Sequence, residues 1–288
     1  MVKNIFTFVL SVLLSNPSYA EEFDFKTALN RCTELKLKLP KQETDGRIQT
    51  LNKKGAMSPV LDEATLDFIE FGKDKRVLEI GGAYGSVMEK MLSKHPGTTY
   101  HLNDLDSHHL YIAAQKLSFS NIPPKFLANA KFISGDASEI DTKDQYDAIL
   151  VARVLHFMDP EKLNNTVTKI FGLLKPGGRV FVVAITPYVK RYKSFIKVYE
   201  ERLAKGDAYP GYVNSLAPFL NKEVTDPKQQ TAISEGPFMF LDTTVLSREF
   251  EAQNFKIIKC KMTSLGYQSE SWSLDGRENV IMVAQKPE

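Results

Sequence analysis

Between residues 76 and 185, short apolar runs of strand length alternate with segments whose apolar residues recur at helical spacing. The last run, 179–185, is apolar at every position after its arginine, which predicts a strand buried on both faces. This alternation predicts βαβ units and a parallel sheet that is covered by helices on both sides. The predicted strands are 76–80, 98–102, 131–134, 146–151 and 179–185, and the predicted helices are 61–71, 86–94, 108–118 and 160–174.

Two more strands, 255–261 and 279–284, are predicted after a helix for which Asp242 is the expected N-cap. The Ser-rich link between these strands contains Gly266 and indicates a hairpin, so the last strand should run antiparallel. The run Lys-Pro-Gly-Gly at 175–178 predicts a sharp turn between the preceding helix and strand 179–185. We therefore predict an α/β fold with a Rossmann-like, seven-stranded, mostly parallel sheet, helices on both faces and an antiparallel last strand.

The length of 288 residues suits one large domain with an insertion, or a domain with a small cap. Residues 21–60 are polar and are predicted to form a partly helical N-terminal cap, and 61–288 the main domain. Within that domain, 187–240 holds a predicted helix near 190–205 and a loop-rich stretch with several prolines and glycines. A segment of this length with so little pattern predicts a lid or binding insertion rather than a connector.

The first 20 residues have the order of features of a signal peptide. Lys3 precedes the apolar run 5–14, Pro17 breaks it, and the small residues Ser18 and Ala20 suit a cleavage site. This predicts export to the periplasm or the medium, with no stable membrane span after cleavage, because the run is too short to cross a bilayer comfortably. The alternative is an apolar helix that docks on the core of a cytoplasmic protein.

Charge and cysteine content exclude several classes of partner. The net charge is +2 and basic residues are interspersed with acids, which argues against nucleic acid and anionic membranes as partners. No Cys/His spacing suggests zinc, and the adjacent His108 and His109 point about a quarter-turn apart on a helix, so no metal site is predicted. The two cysteines, Cys32 and Cys260, leave a disulfide and two buried thiols as open alternatives.

The segment 77–85, Val-Leu-Glu-Ile-Gly-Gly-Ala-Tyr-Gly, ends a predicted strand and opens a helix. Glycine and alanine let a ligand approach the backbone, and the helix N-terminus offers free N–H groups. Glu79 at this turn would repel a dinucleotide pyrophosphate but would suit the ammonium of an amino-acid ligand. The dinucleotide fingerprint needs glycines at its first, third and sixth positions, and neither Gly81 nor Gly82 as a start satisfies it.

Acidic residues also follow the next two predicted strands. Asp104 lies at the tip of the second strand, where a carboxylate can accept both ribose hydroxyls of an adenosine. The alternative role for Asp104 is to cap the next helix, for which Asp106 is better placed. Asp136, in a Gly-Asp-Ala segment after the third strand, suits an amine donor, and its alternative is an ordinary turn residue.

Taken in order, these segments resemble the motifs of class I S-adenosylmethionine (SAM)-dependent methyltransferases. The fourth strand with its loop, 146–157, and the Leu-Lys-Pro-Gly-Gly-Arg run at 174–179 resemble two further landmarks of that family. The likeness covers residues 61 to about 185 well and the last two strands loosely, and Ala83 replaces the family's middle glycine. The resemblance implies SAM as the cofactor and a site that contains Glu79, Gly81, Gly82, Ala83, Gly85, Asp104, Leu105, Asp136, Ala137 and Arg153.

The same resemblance implies methyl transfer to an oxygen or nitrogen of a small-molecule acceptor. His156 follows the fourth strand and is a candidate general base, or alternatively a packed core histidine. Arg153 could bind an acidic acceptor or the cofactor carboxylate, or form a structural ion pair. The fourth strand is not followed by Asn/Asp-Pro-Pro-Tyr, which argues against nucleobase or amide nitrogen acceptors.

Acceptor choice is expected to lie in the cap and the insertion, with 55–59 folding over the methionine end of the cofactor. The insertion contains five tyrosines, which could line a pocket for a flat acceptor or pack the insertion onto the domain; they are Tyr188, Tyr192, Tyr199, Tyr209 and Tyr212. Two other functions stay open, a methyltransferase that acts on proteins and a catalytically silent SAM-binding interaction module.

Overall fold

The computed structural model describes residues 20–43, 46–58, 60–225, 236–266 and 269–288. The predicted signal peptide lies outside the described residues, except for Ala20. None of the helices in the described ranges is long and apolar enough to cross a membrane.

The strands are β1 (Glu21–Asp24), β2 (Ile48–Gln49), β3 (Ala56–Met57), β4 (Arg76–Ile80), β5 (Thr99–Asp104), β6 (Ala130–Ser134), β7 (Tyr146–Ala152), β8 (Leu174–Ile185), β9 (Tyr212–Val213), β10 (Phe238–Met239), β11 (Lys256–Thr263) and β12 (Asn279–Gln285). The α-helices are α1 (Phe25–Glu34), α2 (Glu63–Phe71), α3 (Ser86–Lys94), α4 (Ser107–Ser118), α5 (Pro124–Leu127), α6 (Pro160–Leu173), α7 (Phe195–Ala204) and α8 (Thr243–Ala252).

The main sheet has eight strands in the order β1-β6-β5-β4-β7-β8-β12-β11. Strands β4 to β8 pair in parallel, whereas β12 runs antiparallel to both of its neighbours. The predicted mostly parallel sheet and antiparallel last strand are therefore confirmed. Buried apolar residues cover both faces of the sheet, because successive residues of a strand point to opposite sides: Val77 packs with α2, α3 and α4, and Leu78 with α6 and α8.

The strand count differs from the prediction of seven because β1, assigned from sequence to the cap, pairs antiparallel with β6 as an eighth strand. Its anchor is Phe23, whose ring stacks on Phe132 at 5.9 Å and contacts Tyr111 at 5.4 Å. Phe23 is the single buried residue of this four-residue strand. One apolar position gives no alternating pattern, so the sequence contained no local signal for β1.

The turn predicted at 175–178 lies inside β8. Leu174 pairs with Tyr146 and Arg179 pairs with Ala148, so the intervening residues form an irregularity in the strand. Gly177 there has φ 74°, a left-handed conformation that suits glycine. The predicted turn chemistry is thus present, but the strand begins before it rather than after it.

The insertion contains an aromatic core of its own. Tyr188, Tyr192 and Tyr199 are buried in one cluster with Phe195 and Phe240. These three tyrosines therefore pack within the insertion and do not line the predicted acceptor pocket. Cys32 and Cys260 are both free thiols, which excludes the predicted disulfide alternative for this structure.

Gly172, an exposed glycine in α6, gives a simple test of the fold. A Cβ at Gly172 would meet no atom within 4 Å, so Gly172→Ala should stabilise the protein by about 0.5–1 kcal/mol through helix propensity alone. Gly206 has the same open surroundings but φ 77°, so Gly206→Ala should destabilise it by about 1 kcal/mol. Denaturant unfolding of both variants measures this, and equal effects would contradict the placement of Gly172 in a helix.

Candidate cofactor site

A cavity of about 270 Å³ lies at the carboxyl ends of β4, β5, β6 and β7, where ligands of open parallel sheets bind. Small-ligand pockets usually measure about 300–1,000 Å³, so the volume suits one small ligand. Of the ten cofactor-binding residues predicted from the sequence, nine line the cavity: Glu79, Gly81, Gly82, Ala83, Asp104, Leu105, Asp136, Ala137 and Arg153. Gly85 does not line it, although the next residue, Ser86, does.

The glycine turn after β4 packs against β5 on one side and lines the cavity on the other. The N–H groups of Gly81 and Gly82 both donate to the carbonyl of Asn103 on β5, at 2.8 and 3.1 Å. A Cβ at Gly82 would lie 2.2 Å from Leu102 and 2.6 Å from the carboxyl carbon of Glu79. Glycine is therefore required at 82 by protein packing, and a side chain there would displace Glu79.

Glu79 is buried at the floor of the cavity, with 4% of its surface exposed. Burial raises the pKa of this carboxyl to about 8, and the hydroxyl of Tyr100, which donates to Oε2 at 2.6 Å, only partly opposes that shift. The free protein therefore holds Glu79 largely protonated at neutral pH. Tyr100 was not predicted as a site residue, because its position within β5 does not show that its hydroxyl reaches Glu79 on β4.

Asp104 is held by three donors. Its Oδ2 accepts from the N–H of Ala83 at 2.9 Å, and its Oδ1 accepts from the N–H of Asp106 at 3.0 Å and from Nδ1 of His109 at 2.9 Å. The N-cap of α4 is Asp106, which accepts from the N–H of His108. The alternative capping role of Asp104 is thus taken by its neighbour, and the Asp104 carboxylate lines the cavity.

Asp136 combines its two predicted alternatives. Its Oδ1 caps a short turn by accepting from the N–H and hydroxyl of Ser138, and its Oδ2 pairs with Lys162. Burial acts against ionisation, but these hydrogen bonds outweigh it and lower the pKa of Asp136. Beside it, Ala137 is buried and Leu105 is 56% exposed, so an apolar wall flanks the carboxylate. Lys162 comes from α6 and was missed in the sequence.

Arg153 forms the structural ion pair that was one of its predicted alternatives. Its Nη1 and Nη2 donate to the two oxygens of Asp62 at 2.7 and 2.8 Å. Asp62 stands at the N-cap of α2 but makes no capping bond with its side chain, because it faces Arg153. The pair lines the cavity and joins the loop after β7 to α2.

His156 lies in a different environment from the other candidates. Its ring is 2% exposed and packs against Phe157 at 4.3 Å and Phe238 at 4.9 Å. Burial, and secondarily the charge of Arg153, lower the pKa of His156 to about 3. Phe157 lines the cavity but His156 does not. The structure thus shows the packed alternative, and a role as general base stays a prediction.

A hairpin formed by residues 46–58, which contains β2 and β3, closes the cavity from above. Residues 55–58 of the predicted covering segment line the cavity, as do Thr50, Asn52 and Lys54 near the hairpin's turn. Among the described residues of 187–240, none contributes to this lining. The sequence predicted that the cap and the insertion would both cover the site. In the structure the cap alone, among the described residues, contributes to this lining.

Comparisons with known proteins agree with this architecture. Residues 78–180 match the family model described as a methyltransferase domain. A malonyl-[acyl-carrier protein] O-methyltransferase of Haemophilus ducreyi is 30% identical over 132 residues, which span 44% of this chain and about half, 48%, of that protein. A ubiquinone/menaquinone biosynthesis C-methyltransferase of Erwinia tasmaniensis is 28% identical over 211 residues, 72% of each chain.

A solved structure extends the likeness to the fold. The crystal structure of a SAM-dependent methyltransferase from Methanosarcina mazei is similar with a TM-score of 0.56 at 19% identity, covering 79% of this chain and 98% of that one. The matched residues 78–180 begin in β4 and end in β8, so they contain every strand end that borders the cavity. Residues 78–180 thus form a methyltransferase domain, and the fold is that of class I SAM-dependent methyltransferases.

Proposed function

We propose that this protein transfers the methyl group of SAM to an oxygen or nitrogen atom of a small-molecule acceptor. The observation that carries the proposal is the row of acidic side chains, Glu79, Asp104 and Asp136, along one cavity at successive strand ends. SAM offers an ammonium, a ribose diol and an adenine amine, which are donors that match three acceptors. A dinucleotide pyrophosphate offers no donor to the same row, and the turn lacks the glycine spacing of dinucleotide sites.

Each carboxyl group has a distinct part in this proposal. Glu79 would face the ammonium, since it lies at the glycine turn and gains its charge when a cation arrives. Asp104 would accept a ribose hydroxyl at the acceptor site that its three protein donors leave free. Asp136 would accept from the adenine amine, with the exposed Leu105 against the ring face.

The chemistry needs little from the protein beyond alignment and the exclusion of water. When bound, SAM supplies a methyl carbon on a sulfonium, which is already an excellent leaving group. The hairpin roof and the apolar side chains of Met57, Leu61 and Phe157 would keep water from that carbon. A nearby base is needed only for an acceptor that must lose a proton before it reacts.

A small acceptor is favoured by the size and lining of the cavity. The cavity measures about 270 Å³ beneath the hairpin, and this small volume favours a small acceptor over a protein surface loop. The loop after β7 begins Arg153-Val154, which differs from the motif of nucleobase methyltransferases. The Erwinia relative is named as a C-methyltransferase, so a carbon acceptor is the second candidate.

Calorimetric titration of the full chain with SAM, S-adenosylhomocysteine and NAD tests the cofactor. We expect micromolar binding of both adenosyl ligands and none of NAD, because the glycine turn lacks the spacing that a pyrophosphate needs. The protein is then incubated with radiolabelled SAM and a cell extract, and label should enter small molecules of the extract that separate from SAM itself. Label confined to the protein fraction would favour the protein-directed alternative, and a folded sample that binds neither adenosyl ligand would leave an interaction module.

A further inference from the structure

The hairpin of residues 46–58 is tied to the domain at two points close to the ribose carboxylate. The backbone N–H of Leu51 donates to Nε2 of His109 at 3.1 Å, and the hydroxyl of Tyr84 donates to the carbonyl of Gln49 at 3.2 Å. Tyr84 belongs to the glycine turn, and His109 lies in the first turns of α4. Both ties therefore start from the elements that form the cavity floor.

His109 connects the hairpin with Asp104 directly. Its side chain is 1% exposed, Nδ1 lies 2.9 Å from Oδ1 of Asp104, and Nε2 faces the Leu51 N–H. Because Nε2 accepts a hydrogen bond, it has no proton, so Nδ1 must have the proton that Asp104 accepts. One neutral tautomer thus satisfies both partners, and the ring of Tyr84, edge-on at 5.1 Å, holds the imidazole in place.

The surroundings of His109 favour this arrangement over a simple ion pair. Asp106 also faces the ring, with Oδ2 at 3.7 Å from Nε2, which is beyond hydrogen-bond distance. A proton on Nε2 would point at the Leu51 N–H and break the tie to the hairpin. The tie at Leu51 is therefore kept only while His109 donates to Asp104 through Nδ1.

We propose that His109 is a positioning residue that couples closure of the hairpin to the carboxylate that binds the ribose. This rests on the proposed function, since it assumes that Asp104 contacts the cofactor. A ribose that fixes the Asp104 carboxylate also fixes the His109 tautomer, which holds Leu51 and closes the roof. By linkage, hairpin closure strengthens cofactor binding by the same factor.

This coupling has a physical need in the closed cavity. Residues 50, 52 and 54–58 of the hairpin line the cavity, so movement of the hairpin would widen the path by which the cofactor enters and leaves. A hydrogen bond to a backbone N–H at the hairpin's turn can break and re-form without disturbing the domain. His109 would then hold the hairpin closed when a ribose occupies the site, and release it when the ribose leaves.

Two substitutions separate the ends of the link. In His109→Asn the amide nitrogen can donate to Asp104 but does not reach Leu51, and in His109→Gln the amide oxygen can reach Leu51 but no donor remains at the Nδ1 position. We expect both to lose the slowing of hydrogen exchange that S-adenosylhomocysteine causes in 48–57. Affinity should fall about tenfold in both, with the greater loss in His109→Gln.

A third variant tests the link without altering His109. Leu51 is the second residue of a turn closed by the Lys53 N–H and the Thr50 carbonyl at 3.0 Å, a position where proline is favoured. Leu51→Pro removes the N–H donor and replaces a side chain that is 42% exposed, so it should lose the same protection even if the buried His109 variants fail to fold. The matched control is His108→Asn, since His108 is half exposed and contacts Asp106 rather than the hairpin.

The outcomes separate this proposal from the proposed function. Failure of the wild-type protein to bind S-adenosylhomocysteine would remove the cofactor assignment itself. Tight wild-type binding without slower exchange at 48–57, or Leu51→Pro with wild-type affinity and protection, would overturn the coupling alone. Loss of protection in Leu51→Pro, with His108→Asn unchanged, would support it.

Discussion

Asp104→Asn is expected to weaken binding of SAM and S-adenosylhomocysteine by about 10- to 150-fold, with the fold retained. The three donors around the carboxylate are N–H groups of Ala83, Asp106 and His109. The amide nitrogen of asparagine must face one of these donors or turn into the cavity, where ribose hydroxyls need an acceptor. A hydrogen bond to a charged group is worth roughly 1.5–3 kcal/mol, which corresponds to that range.

Asp242→Asn is the matched control for this substitution. Asp242 is also buried, 4% exposed, and accepts from the Tyr199 hydroxyl and the N–H of Val245, but it lies outside the cavity. Both variants should lose stability in thermal unfolding, and calorimetry should find weakened binding only in Asp104→Asn. Wild-type affinity in Asp104→Asn would remove Asp104 from the cofactor site.

Much of the fold and the cofactor cavity could be predicted because the signals are local. A strand tip followed by a glycine turn or an acid is readable in a few residues, and parallel strands bring their carboxyl ends to one edge. Glu79, Asp104 and Asp136 therefore meet at one cavity without any knowledge of side-chain packing. The predicted βαβ alternation also indicated that these strands are parallel, which brings their carboxyl ends to the same edge of the sheet.

The partners of these residues could not be predicted, since they come from distant segments. Tyr100 against Glu79, Asp62 against Arg153 and Lys162 against Asp136 each depend on how a helix or strand is rotated in the folded protein. His156 shows the same limit. Its position after β7 suggested a base, but the short helical turn Leu155–Phe157 places its ring against Phe238, which belongs to β10.

The second large effect is expected for Glu79→Gln, which should abolish a proton release that accompanies cofactor binding. Burial raises the pKa of Glu79 from 4.5 to about 8 in the free protein, so at pH 7 it is mostly protonated. A bound ammonium would favour the carboxylate, and binding should release close to one proton at that pH. Wild-type affinity should then rise up to about tenfold per pH unit between pH 6 and 8 and level off above.

Stability of the free protein should show the opposite dependence on pH. Between pH 4.5 and 8 the folded state binds a proton at Glu79 that the unfolded chain has lost, so its contribution to stability decreases as the pH rises. Glutamine cannot ionise, so at pH 9 the free Glu79→Gln protein should be more stable than wild type by about 1–4 kcal/mol. The variant would thus gain stability and lose cofactor affinity.

Calorimetry in buffers of different ionisation enthalpy measures the proton release, and urea unfolding at pH 5, 7 and 9 measures the stability. Glu278→Gln is the control, because Glu278 is also buried but its Oε1 accepts from the N–H groups of Leu274, Asp275 and Gly276 outside the cavity. It should lose stability and keep the wild-type proton release. A wild-type protein that binds SAM without releasing a proton would contradict either the neutral Glu79 of the free protein or its contact with the ammonium, and the pH dependence of stability distinguishes the two.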